Sequence, residues 1–458
     1  MPNPHQTRDL AKFIHDFSYD MLSEDHIERL KQSLLEALGT AIAAFDEPVL
    51  RALRVHIKDF NSSGPCSLIG GVKCAPDMAA YHNCGLIGFL DMNDMYLGVN
   101  GTVYPSDSVA AVLATLEYQG GSGKDILRGL AISYVTQIVL NKSMSKRSLQ
   151  EYCFSQAALG AAAATSAMLN MDVERMVNGL NIAASAGSYP HPVGTGNLSD
   201  WVHMVRPSAV RHGVESAFLG LRGIGGVSHE LEGEDRVPDL LEEYEGLTIG
   251  AKDIDCILEI SSRKYMANVY AQSAIEAAIH IRHLYDINPE EVASVELETF
   301  NAAYKHLGGG NGMDCVDIVS REEAVNSLPF LVSTALIKGN IDQSHLTHRS
   351  IRSQEMQRLR GLVTVKHNPK FDEFYPKEMC QSLTVKMKDG TEHHIDKCNY
   401  LGHHTKPTGW DGLIRKFHCC AEDFANEQLR TEIVDVVRNL ENHRMDKLTS
   451  LLARVAPV

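Results

Sequence analysis

The hydrophobic period of this 458-residue chain changes twice along its length, and that change restricts the available folds more than any single motif does. Up to about residue 255, apolar residues recur at steps of three and four with almost no alternation. Ile27, Leu30, Leu34, Leu38 and Ile42 track one face behind Ser23, the predicted N-cap. Residues 8–56 read as two or three such amphipathic helices, and after a loop over Gly64–Gly71, Pro76 opens the next. Further helices are predicted over Met78–Leu90, Val109–Tyr118, Ile126–Val139, Ala157–Leu169, Gly179–Gly187 and Val214–Arg222. The Ala157–Leu169 stretch, AALGAAAATSAML, carries small residues that let neighbouring helices approach closely. Alternation then begins. Val292–Phe300 reads as a strand, and Ser382–Ile395 reads as a hairpin turning at Asp389–Gly390. Between them, Arg321–Lys338 is predicted as one helix. From Trp410 the helical period returns over Ile414–Phe424 and Glu427–Asn439. This order predicts a mainly α protein with an α+β insert: a large all-helical domain from residues 1–258 and 401–458, and a smaller α+β domain from residues 259–400.

A formal charge of −15 argues against a general nucleic-acid or anionic-membrane binder, because phosphate partners need a basic face. It leaves room for an anionic small molecule in a locally basic pocket. The opening MPNPHQTRDLAKFIHDF lacks an apolar signal core and no stretch reaches membrane-spanning length, so a cytoplasmic protein is expected. Ten cysteines are scattered without a CxxC pair and read as reduced thiols. No Cys/His spacing completes four zinc ligands, so no metal is expected. Gly120–Asp125, GGSGKD, lacks phosphate-loop spacing and reads as a turn with a cap.

Two stretches concentrate polar groups. Leu90–Asp107, LDMNDMYLGVNGTVYPSD, lies between predicted helices, and Gly98, Gly101 and Pro105 forbid a continuous helix through it. It reads as a helix–loop–helix junction, the kind of rigidly held loop where ligand groups gather, or else a surface connector with an Asp cap at each end. Ser188–Gly213 reads as a Gly- and Pro-rich loop holding His191, His203, Arg206, Arg211 and His212, the most basic region of an acidic chain.

These segments, with others, resemble the MmgE/PrpD family, which includes 2-methylcitrate dehydratase, cis-aconitate decarboxylase and iminodisuccinate epimerase. The resemblance runs over nearly the whole chain. It rests on DMNDMYL…YPSD at Asp91–Asp107, GAAAATSAMLNMD at Gly160–Asp172 and SAVRHGV at Ser208–Val214. It continues through REEAVNSLPFLVSTALIKG at Arg321–Gly339, FYPKEMCQSLTVKMKDG at Phe374–Gly390 and YLGHHTKPTGW…KF at Tyr400–Phe417. It implies a homodimer, with no metal or organic cofactor, in which the α+β domain is a lid over the helical one. The first Asp of the family's D-x-[ND]-D stretch is Asp91. Elsewhere the chain departs from the pattern: Tyr104 replaces the catalytic His before Pro-Ser, and Met95 replaces a small hydroxyl residue. Arg263 replaces the Lys that opens the lid, Gln272 the His nine residues later, and Phe330 a lid-helix Tyr. Residues 149–156, LQEYCFSQ, offer no counterpart of another active-site His. A loop Lys falls near Val202 or His203, with Arg206 close by.

Dehydration of a citrate-like acid needs a base, an acid and cations to hold carboxylates; decarboxylation needs the cations and a proton donor but less of a base. Arg206, Arg263 and Lys264 can supply the cations, and Arg suits planar carboxylates. Asp91 is the candidate base, unless it fixes an Arg or caps a helix. Tyr104 is a candidate acid, with a pKa of about 10 that makes it a poor base. His203 is the third catalytic candidate, and Asp94 and His191 join the cations as substrate-binding candidates. The expected activity is dehydration of a 2-methylcitrate or 2-alkylcitrate-like tricarboxylate. The alternatives are a decarboxylase or epimerase on a related polycarboxylate, or a homologue serving as a binding scaffold. The expected site is a cleft roofed by residues 259–400 and floored by the junction near Asp91.

Overall fold

The computed structural model describes residues 5–60, 63–99, 101–143, 152–153, 155–186, 189–190, 200–227, 247–312, 315 and 317–458. The chain divides into two compact units, Met1–Ser261 with Thr408–Val458, and Ser262–Pro407.

The first unit is mainly helical. Its main helices are α1 (Gln6–Asp16), α2 (Glu24–Ala43), α3 (Pro48–Asp59), α4 (Pro76–Phe89), α5 (Val109–Gln119), α6 (Gly123–Ser143), α7 (Ser155–Met168), α8 (Val173–Ala186) and α9 (Val205–Leu221). Ser23 caps α2 as expected, its hydroxyl accepting from His26 N–H, and Pro76 sits in the first turn of α4, where a missing N–H costs nothing. Leu30, Leu34, Leu38 and Ile42 of α2 are fully buried. The small residues of α7 pack against α6 and α9. The approach is so close that a Cβ on Gly213 of α9 would lie 2.2 Å from the Ala158 carbonyl oxygen. Short strands β1 (Cys66–Ser67) and β2 (Lys73–Cys74) pair antiparallel.

Three details depart from the sequence reading. Leu90–Asp107 is not only a loop. It contains the hairpin β3 (Met95–Gly98) and β4 (Gly101–Val103), in register Tyr96↔Val103. Strands β5 (Tyr152–Cys153) and β6 (Tyr189–Pro190) pair with each other, and β7 (Ile260–Ser261) completes the order β4-β3-β7. Strands this short, one supplied from far along the chain, leave no local periodicity to read. Second, α9 starts at Val205, so Arg206, Arg211 and His212 are helical rather than in a loop. Pro207 falls in the first turn, where a proline is compatible with a helix. Third, Arg321–Lys338 is broken, because Ser327 caps a new helix through Phe330 N–H.

The second unit holds a four-stranded sheet in the order β11-β10-β8-β9, with β8 (Val292–Thr299), β9 (Val363–His367), β10 (Gln381–Met387) and β11 (Glu392–Lys397). β8 and β9 run parallel and the other pairs antiparallel. The expected Asp389–Gly390 turn joins β10 to β11, with Gly390 at φ 90° as such a turn requires. Val295, Leu297, Leu383 and Val385 are buried where helices α10 (Gln272–Tyr285) and α11 (Leu328–Lys338) pack on the sheet and on each other. One step beyond the Gln381↔Lys397 pair, the sulfurs of Cys380 and Cys398 form a disulfide, which corrects the expectation that every thiol is reduced. The two cysteines are 18 residues apart in sequence, and only the strand register brings them together. With Glu378 they form the one group of metal-ligating donors found among the described residues, and both sulfurs are used in the bond.

After this unit the chain rejoins the first with α12 (Gly409–Ala421), α13 (Glu427–Arg438) and α14 (Met445–Leu452), and α12 packs along α2. Among the described residues no helix is long and apolar enough to cross a membrane.

Candidate active site

The C-terminus of α4 turns sharply into the polar junction. Leu90 is its C-cap, and Asp91 follows in the left-handed region at φ 52°, donating its N–H to Gly88 O at 3.3 Å. Asp tolerates this conformation better than most residues, but the geometry is costly without support. The support comes from the residues around it. Asn93 Nδ2 donates to Ser106 Oγ at 3.0 Å, and Ser106 N–H donates to Asp94 Oδ1 at 3.2 Å. Tyr134 of α6 donates its hydroxyl to Asp94 Oδ2 at 2.9 Å. Gln137, one turn along α6, donates to Pro105 O and Ser108 Oγ. The two flanks of the β3–β4 hairpin are thereby cross-linked and bolted to α6.

Arg206, at the N-terminal end of α9, binds this assembly from the other side. Its Nη1 lies 3.4 and 3.3 Å from the two oxygens of Asp107, whose side chain is 1% exposed, and its Nη2 donates to Gly88 O at 3.4 Å. The guanidinium stacks over the Tyr104 ring at 4.2 Å. Burial alone would depress this guanidinium, but Asp107, Tyr104, Asp91 and Cys84 outweigh it and hold it above its ordinary value. It is charged at every relevant pH. Its place on the α4 carbonyl end also suits the helix dipole.

Of the sequence candidates, Asp91, Asp94, Tyr104 and Arg206 therefore meet in one assembly in the first unit. Asp94 is 0% exposed and both its oxygens accept from protein donors, so it holds the junction together. His203 ends a short 3₁₀ turn before α9, half-buried, with its ring 4.3 Å from that of Phe89, the last residue of α4. His191 lies outside the described residues.

Arg263 and Lys264 belong to the second unit. Arg263 is 1% exposed, whereas Lys264 is exposed with its ammonium 5.0 Å from the Tyr265 ring. Gln272 is fully buried. Its Oε1 accepts from Lys264 and Tyr265 N–H, and its Nε2 donates to Tyr265 O and Ala267 O. It shapes the turn carrying Arg263 and Lys264. Phe330 is fully buried in α11.

Four residues at the first-unit assembly carry no mark in the sequence: Tyr134, Gln137, Glu36 and Lys416. Lys416 of α12 donates to Glu36 Oε1 of α2 at 2.5 Å and to Met92 O at 2.7 Å. Tyr134 and Glu36 lie within helical periods that read as ordinary packing, and nothing local says which faces meet. A separate open groove of about 380 Å³, lined among others by Asp9, Phe13, Met21 and Leu247, contains none of the candidate residues.

The MmgE/PrpD N-terminal domain model matches residues 8–249 and the MmgE/PrpD C-terminal domain model matches residues 265–442. Cis-aconitate decarboxylase of Mus musculus is 21% identical over 460 residues, covering 95% of this chain and 91% of that protein. Cis-aconitate decarboxylase of Homo sapiens is 22% identical over 472 residues, covering 98% and 95%. Matched in both its domains along most of its length, the chain belongs to the MmgE/PrpD family.

Proposed function

We propose that the protein is a lyase acting on a small tricarboxylate, and that Asp91, Tyr104 and Arg206 carry its chemistry. The observation that bears most weight is the meeting of a fixed guanidinium, a phenol and the left-handed Asp91 in one assembly. A guanidinium stabilises the negative charge that develops when a bond next to a carboxylate breaks. The phenol beside it donates a proton at neutral pH more readily than it takes one. That balance supports decarboxylation of an unsaturated tricarboxylate such as cis-aconitate, in which CO₂ leaves and the carbanion takes a proton from Tyr104. The named activity of the two relatives supports the same reading.

Dehydration of a 2-methylcitrate-like acid is the second reading, favoured by Asn93–Asp94 and Pro105–Ser106–Asp107 at the junction. There Asp91 takes the proton and Tyr104 assists hydroxide departure. The family resemblance also supports a homodimer that works in the cytoplasm without a cofactor.

The test is thermal shift of the purified chain with citrate, 2-methylcitrate and cis-aconitate, because a ligand bound only by the folded state raises the melting point. Incubation follows, with CO₂ release from cis-aconitate and a new ultraviolet-absorbing conjugated double bond from 2-methylcitrate as the two readouts. CO₂ release supports the first reading and the new double bond the second. No shift and no product with any of the three acids would overturn the lyase proposal.

A further inference from the structure

We infer that Lys416 is a positioning residue for Asp91, held in place by Glu36. The inference deepens the proposed site and rests on that reading for its functional consequence. Asp91 is the one residue of the assembly that combines a left-handed backbone with a partly exposed carboxylate. Its backbone is anchored on both sides. Its own N–H is tied to Gly88 O, and the carbonyl of the following residue, Met92, is tied to Lys416 Nζ at 2.7 Å. Beyond Met92, Asn93 is fully buried and bonded to Ser106. The Leu90–Asp91 and Met92–Asn93 peptides are therefore both held, which restricts the turn that aims the Asp91 carboxylate.

The Glu36 side chain is 0% exposed and accepts from Lys416 at 2.5 Å, so the ammonium bridges a buried carboxylate and the Met92 carbonyl. A buried ion pair is weak evidence for stability, since well-packed apolar residues of the same size often do as well. Here the pair does something apolar side chains cannot, which is to donate to Met92 O. Lys416 lies 324 residues from Met92 and 380 from Glu36, so this side chain ties α12 to both α2 and the α4 terminus, beside the bond from Trp410 Nε1 to Glu28 Oε2.

The test compares wild type with Lys416→Met, Lys416→Arg and Glu36→Gln, each as the full chain with its melting point recorded. The substrate is whichever of cis-aconitate or 2-methylcitrate the wild type turns over. Lys416→Met should lower kcat about 100-fold, the scale expected for a displacement of about an ångström in a reacting group, with KM changed less than about twofold. Lys416→Arg, which keeps a donor for Met92 O, should recover to within about tenfold of wild type. Glu36→Gln, which keeps Lys416, should fall between them. A folded Lys416→Met enzyme with wild-type kcat overturns the inference, as does a loss confined to KM, which would make Lys416 a substrate contact. A second readout does not depend on turnover: crystal structures of wild type and Lys416→Met should show Asp91 leaving the left-handed region in the variant. An unmoved Asp91 refutes the positioning role even if no substrate is found, whereas an inactive wild type with a displaced Asp91 in the variant counts against the lyase reading alone.

Discussion

Replacing Tyr134 by Phe isolates a single bond that holds the polar junction together. The hydroxyl is fully buried and donates to a fully buried carboxylate, Asp94 Oδ2, at 2.9 Å. A hydrogen bond to a charged group contributes about 1.5–3 kcal/mol, and Asp94 keeps its second bond from Ser106 N–H, so the expected loss is about 2 kcal/mol. For a helical unit of roughly 300 residues that corresponds to a fall of about 3 °C in melting temperature. The assay is calorimetry on wild type, Tyr134→Phe, Asp94→Asn and the double variant. The two single losses should sum to more than the double loss by about 1 kcal/mol, because either change breaks the same bond. There is also a pH signature. Burial, reinforced by the Asp94 charge, holds the Tyr134 phenol well above its ordinary value of 10.0. A folded pKa raised in this way contributes stability that is complete below about pH 10 and is lost as the pH climbs towards the folded value. Wild type should therefore lose stability above about pH 10 more steeply than Tyr134→Phe. Strictly additive single variants, or identical alkaline profiles, would refute the argument.

Acid should act through His82. Its imidazole is fully buried in α4, and burial pushes its pKa down to about 4 from 6.5. A depressed base contributes stability present above pH 6.5 and lost as the pH falls through 4, here about 3 kcal/mol, so urea titrations of His82→Gln at neutral pH and near pH 4 should show a flatter acid loss than wild type. Gly213→Ala should destabilise by roughly 1–3 kcal/mol, since the new Cβ would press on the Ala158 carbonyl rather than on a mobile side chain; an unchanged denaturation midpoint would show that α7 and α9 have room to separate. Asp91→Asn should abolish turnover, and near-normal turnover would remove Asp91 from the chemistry. Arg263→Ala should lose the thermal shift given by any tricarboxylate while keeping wild-type circular dichroism, and an unchanged shift would exclude Arg263 from binding.

Features governed by neighbours within a turn or two were readable from the residues. The Ser23 cap, the Pro76 start of α4, the long stripe of α2 and the Asp389–Gly390 hairpin each depend on local chemistry, and each is present. Features that depend on distant partners were not. The β3–β4–β7 sheet joins residues 95–103 to 260–261, too short and too far apart for alternation to register. Val363–His367 does alternate, but its parallel pairing with β8 needs the whole intervening chain to close. The polar junction shows the same division. Asp91, Asp94 and Tyr104 stood out because they cluster in sequence with glycine and proline. Tyr134 and Lys416 did not, because a tyrosine or lysine in a helical period carries no mark of what it will face.

The first unit is built from both ends of the chain, and this constrains the order of its assembly. While the polypeptide is being made, α2 and α4 emerge more than 300 residues before the helix that delivers Lys416, so during translation Glu36 and the Met92 carbonyl are made long before this partner. The entropy of closing so long a span grows only slowly with its length, but contacts this distant are made late, since nothing rewards the search until both partners meet. The bonds among residues 93–137 can form early, and the tie from Lys416 to the Met92 carbonyl is added only once the final segment docks.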